Sequence, residues 1–138
     1  MTKLSESQER ALRSSLFVIE NRLRWIRDSL KEGNPAEQTI LYRRRCDVDS
    51  DSKPRIIEMV TDMLDEINQM KERFELETKV IKLRAEISAA LTEIWLILEE
   101  LRPERLKAYG QLSESSKALI EPHVLSLLDK LDELRRLL

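Results

Sequence analysis

Glycine is close to absent from this chain, with two residues in 138. That shortage excludes the glycine-dependent turns of a β-sandwich or barrel and the glycine-rich phosphate loops of nucleotide-binding folds. One cysteine, Cys46, allows no internal disulfide, and with one histidine, His123, it leaves no set of soft ligands for zinc or for attaching haem. Aromatic residues make up only 4%. The longest apolar run, Ile94 to Leu98, is closed by Glu93 and Glu99 and falls far short of the roughly 20 residues that span a bilayer. Charge of one sign is also lacking: 24 Lys and Arg against 26 Asp and Glu give a net charge of −2, without the field of a dedicated nucleic-acid or membrane-surface binder. The opening residues, Met1 to Glu6, hold no apolar stretch of a secretory signal, so the expected compartment is the cytoplasm.

What is present is helical periodicity. Apolar residues recur at alternating spacings of three and four in four segments, which places each set on one stripe of a helix. The stripes are Leu12, Leu16, Ile19, Leu23, Ile26 and Leu30; Ile56, Val60, Met63, Ile67, Met70 and Phe74; Val80, Leu83, Ile87, Ala90, Ile94, Ile97 and Leu101; and Ile120, Val124, Leu127, Leu131, Leu134 and Leu138. The expected fold is therefore all-α, an antiparallel four-helix bundle in a single domain over residues 1–138. A heptad-like repeat of this kind packs helices with a left-handed twist.

Punctuation residues set the expected ends at 6–32, 53–75, 78–102 and 113–138. Ser5 with Gln8 has capping-box spacing, and Gly33 offers a left-handed stop before Asn34 and Pro35. The Asp- and Ser-rich stretch 47–52 supplies caps for the second helix, Thr78 for the third and Ser113 for the fourth, with a kink or break near Pro122. Residues 75–79 contain neither Gly nor Pro, so one helix through segments two and three is an alternative, but the apolar phase restarts at Val80 and favours a turn. The connection from Asn34 to Ser52 is long for a bundle; Asn34 and Glu37 can cap a short helix through Leu41, or Thr39 to Tyr42 can be extended.

Two features stand outside the stripes. Arg43, Arg44 and Arg45, flanked by Tyr42 and Cys46, form the densest charge on the chain and are the candidate site for an anion or nucleic acid, although a lone triplet balanced by Asp47, Asp49 and Asp51 makes nucleic acid an unlikely ligand. Neighbouring cations can activate Cys46, but a nucleophilic cysteine generally needs a base, and His123 is remote in sequence. Glu58, Asp62, Asp65 and Glu66 fall off the second stripe and read as a solvated face. In the first and third helices, Phe17, Val18, Trp25, Trp95 and Leu96 lie off the main seams and form the candidate interface, unless Ile40, Leu41 and Tyr42 cover them within the chain.

With no catalytic motif, cofactor signature or membrane span, the sequence points to a non-catalytic protein that acts through protein–protein interaction as a scaffold or regulator. The expected partner is a second copy, giving a homodimer, or another protein.

Overall fold

A computed structural model describes residues 3–31 and 39–138, and all regular structure among them is helical. Contacts divide the chain into two compact units, Met1–Thr78 and Lys79–Leu138. The first contains α1 (Glu6–Leu30) and α2 (Ser52–Arg73); the second contains α3 (Leu83–Glu100), α4 (Pro103–Leu106), a 3-10 turn (Lys107–Tyr109) and α5 (Glu114–Leu137).

Helix α1 starts as its sequence dictates. The Gln8 amide donates to Ser5 Oγ at 3.1 Å while the Ser5 amide donates to Gln8 Oε1 at 3.0 Å, so two amides that the helix leaves unpaired satisfy each other's side chains. The helix ends at Leu30, slightly before the expected 32, and the anticipated stop at Gly33 and cap at Asn34 lie outside the described residues. Residues 39–42 are neither helix nor strand. They form a tight turn in which the Thr39 amide and hydroxyl both donate to the Tyr42 carbonyl and the Tyr42 amide donates back to Thr39 Oγ1. Helix α2 opens at Ser52 after a turn on the Asp49 carbonyl, with no side-chain cap from Asp51.

Helix α2 is stopped by a residue that its sequence does not advertise. Glu75 takes φ of 52°, the left-handed region where glycine is usual. Its amide donates to the Glu72 carbonyl at 3.2 Å, the Leu76 amide reaches back to the Lys71 carbonyl at 2.9 Å, and the Leu76 side chain is buried. This is a Schellman ending built on glutamate. The expected turn between segments two and three is thus present, but Thr78 caps no helix; its hydroxyl accepts from Lys71 Nζ at 2.8 Å. The third helix starts at Leu83, not 78, so Val80 and Ile81 lie outside it.

The described residues contain five α-helices against the four expected, and Pro103 is the reason. It disfavours helical geometry at Arg102 and so ends α3, yet its fixed φ suits the first position of the next helix, where it starts α4. Arg102 folds back on Glu99 with two hydrogen bonds of 2.7 and 3.2 Å, and this contact raises the guanidinium pKa further. Ser113 caps α5 by accepting from the Ser116 amide, and α5 continues through Pro122 without a break.

Within the first unit, α1 and α2 pack antiparallel: Arg13 near the start of α1 donates to the Glu77 carbonyl beyond the end of α2. Leu23, Val60 and Leu76 are its buried apolar residues. In the second unit, Arg135 near the end of α5 donates to Thr92 at 3.1 Å, while Arg102 after α3 senses the charge of Glu121 near the start of α5, so this pair is antiparallel as well. Its core is Leu91, Leu98, Val124, Leu128 and Leu131, with Ile120 and Leu138 packed against it.

That core corrects the third stripe. The sequence placed Val80, Leu83, Ile87, Ala90, Ile94, Ile97 and Leu101 inward, with Leu91 and Leu98 widening the seam, whereas all seven stripe residues are exposed and the buried ones are Leu91 and Leu98. At roughly 100° per residue, the apolar arc of α3 is about 160° wide. Helix α5 covers only the part of that arc that carries Leu91 and Leu98.

Candidate functional site

The arginine segment and Trp25 come together. Trp25 projects from α1 away from the Leu23 seam, and Arg44 lies over its indole with Cζ 5.7 Å from the ring centroid. Beneath them is a cavity of about 390 Å³. Its walls are apolar, from Ile26 and Leu30 of α1, Val48 of the connection and Ile56 of α2. Arg44, Arg45 and Asp47 supply its charge. Ser29 also lines it, with a buried Oγ that has no hydrogen-bond partner among the described residues. Arg43 does not line the cavity, so the triplet is divided, with two arginines at the site and one on the surface.

Cys46 is half-buried in the cavity wall, and His123 belongs to α5 in the other unit. The chemistry of the cavity is that of a cleft with greasy walls and a cationic rim, suited to an anion that carries an apolar body. A second hollow, of about 510 Å³, is lined by Lys107, Gln111, Ser113, Glu114 and Lys117. There Lys117 Nζ donates to the Glu114 carboxylate at 3.0 Å, so its principal cation is already partnered.

Of the candidate interface, Phe17, Val18 and Trp25 are exposed on α1, and Trp95 and Leu96 on α3. Ile40, Leu41 and Tyr42 do not cover them: they are 99, 85 and 79% exposed. The Arg44 guanidinium lies over Trp25.

The larger apolar surface was missed because it consists of residues that the periodicity assigned to a core. In an antiparallel pair, flanks offset in the same rotational sense from the contact line point to the same side. On α3 the flank beyond Leu91 and Leu98 carries Leu83, Ile94, Ile97 and Leu101; on α5 the equivalent flank beyond Val124 and Leu131 carries Leu127 and Leu134. All six are exposed. The α3–α5 pair therefore has one continuous apolar side. Periodicity reports that a face is apolar and carries no information on what lies opposite it.

No protein-family model, curated protein or solved structure matches the chain. No described helix is long and apolar enough to cross a membrane, and no cluster of His, Cys, Asp or Glu with the makings of a metal site occurs among the described residues.

Proposed function

We propose that this protein is a non-catalytic, cytoplasmic interaction module, a scaffold or regulator that works by associating through apolar helix faces and forms a homodimer. One observation carries the reading: the seam of α3, from Leu83 to Leu101, stands open. An apolar arc of this width is the mark of a helix with packing partners on more than one side. The four-helix bundle expected from the sequence is, on this reading, reached when a helical pair finds a second apolar layer. Sedimentation equilibrium of the full chain between micromolar and ~100 μM concentrations tests it, because association of this strength lies within that range. A dimer is expected; a monomer throughout removes the homodimer.

The cavity beside Trp25 supports a second reading, a module that holds an anion at Arg44 and Arg45. Its apolar walls and the unpartnered Ser29 hydroxyl favour it. Titration of an apolar carboxylate such as octanoate, followed by Trp25 fluorescence in a Trp95→Phe background, should show saturable binding. Replacement of Arg43, Arg44 and Arg45 by Ala should abolish that binding, and unchanged binding after the replacement removes the site.

A further inference from the structure

The open side of the second unit has charged edges, and they differ. Along the outer edge of α3, next to Ile97, run Glu86, Glu93 and Glu100 at seven-residue spacing, which keeps them in line on a helix. Along the outer edge of α5, next to Leu127 and Leu134, lie His123 and Lys130, also seven apart. All five are exposed, and none of their side chains has a hydrogen bond or ion pair among the described residues. The apolar strip between the two edges carries six exposed side chains, Leu83, Ile94, Ile97, Leu101, Leu127 and Leu134.

We propose that this face docks on the same face of a second copy, about a two-fold axis parallel to the helices, so that α3 of each copy lies against α5 of the other. The inference rests on the homodimer reading above and specifies its surface and symmetry.

The exposed apolar strip supplies the contact, and charge selects the arrangement. Two helical pairs can stack face to face about a two-fold axis in two ways. With the axis perpendicular to the helices and in the plane between the layers, α3 meets α3 and the three glutamates of one copy face those of the other. Like charges set along one edge in this manner destabilise the pairing. With the axis parallel to the helices, the glutamate edge meets the edge of the other chain that carries Lys130 on both sides of the bundle, and every neighbouring pair of helices is antiparallel. Levels along the axis agree with this. Thr92 lies beside Arg135, so Glu93 is level with the region of Leu134 and Glu100 with that of Leu127. A two-fold axis along the bundle preserves these levels. Lys130 of the partner subunit then falls within ~6 Å along the axis of Glu93, and His123 of the partner subunit within ~6 Å of Glu100, offsets that long side chains span.

The experiment uses the full chain. By sedimentation equilibrium, Glu93→Lys alone and Lys130→Glu alone should each weaken the dimer by about 10-fold, since two attractive edge contacts become repulsive. An equimolar mixture of the two variants should recover wild-type affinity, because both cross-pairs are again opposite in sign. A covalent check follows in a Cys46→Ser background: a chain carrying Glu93→Cys and Lys130→Cys together should oxidise to a disulfide-linked dimer, the two positions being on opposite edges of one copy and adjacent only between copies. A wild-type monomer overturns the homodimer reading itself. A wild-type dimer that is indifferent to both charge changes and does not cross-link leaves that reading standing and overturns this face. Tighter pairing of Glu93→Lys with wild type than of wild type with itself overturns the symmetry, because it places α3 against α3.

Discussion

The guanidinium carbon of Arg44 lies 5.7 Å from the centre of the Trp25 ring. A cation above an indole face is attracted by the negative face of the ring, worth about 0.5–1 kcal/mol at an exposed site. The contact ties the connection after residue 42 to α1 and roofs the cavity beneath.

Loss of that roof is measurable. Arg44→Ala should destabilise the first unit by about 1 kcal/mol and Arg44→Lys by less, because lysine keeps the charge and loses the planar stacking. Urea unfolding followed at Trp25, in a Trp95→Phe background, checks both. A midpoint unmoved by Arg44→Ala would show that the indole needs no cover.

Glu75 holds a backbone conformation that costs a side-chain-bearing residue roughly 1–2 kcal/mol relative to glycine. Part of the relief from Glu75→Gly is cancelled by the greater entropy of glycine in the unfolded chain. The net expectation is a gain of about 0.5–1 kcal/mol, against a loss for Glu75→Val, whose branched side chain tolerates positive φ poorly. Thermal unfolding of both variants decides the sign.

Leu131 and Leu134 are one turn apart on α5, yet the first is 3% exposed and the second 50%. Leu131→Ala should cost about 2–5 kcal/mol at any protein concentration, since it empties the core. Leu134→Ala should cost little in a dilute, monomeric sample and should weaken self-association at higher concentration. Denaturant titrations at two protein concentrations separate these effects.

The Lys117 ammonium is held above its usual value of 10.5, first by its hydrogen bond to Glu114 and next by the charge of that carboxylate. A raised pKa in a basic group means that the contact stabilises the fold in full below the ordinary lysine range and is lost as pH rises through the raised value. The pair is solvent-exposed, so its effect on global stability is small. Direct NMR titration of the Lys117 side chain should show the elevation, and Glu114→Gln should bring the midpoint back toward 10.5.

Local signals were the legible ones. Ser5 with Gln8, and Ser113, begin their helices where spacing and capping chemistry place them, because a cap needs only residues three or four positions away. Pro103 ends one helix and starts the next through one property, a fixed φ without an amide hydrogen. Glu75 was not legible as a helix stop, since glutamate seldom takes a left-handed conformation and its choice depends on burying Leu76 behind it. The third stripe shows the deeper limit. Periodicity reports that a face is apolar, and the partner that covers it is a property of tertiary or quaternary structure. For the candidate site, the arginines were visible as a triplet, but their division between cavity and surface and the pairing of Arg44 with Trp25 needed the folded path of the connection.

The Schellman turn at Glu75 also bears on the order of events during synthesis. It closes through amides and carbonyls within six residues, and α1 meets α2 across a single connection, so the first unit has its stop signal and its buried Leu76 once the chain has grown to about this point. Helices and a small helical pair form in microseconds to milliseconds, whereas a ribosome takes seconds to add tens of residues. The amino-terminal pair thus has time to collapse before the apolar α3 emerges, which lowers the chance that the open seam of α3 is trapped against a half-formed α1.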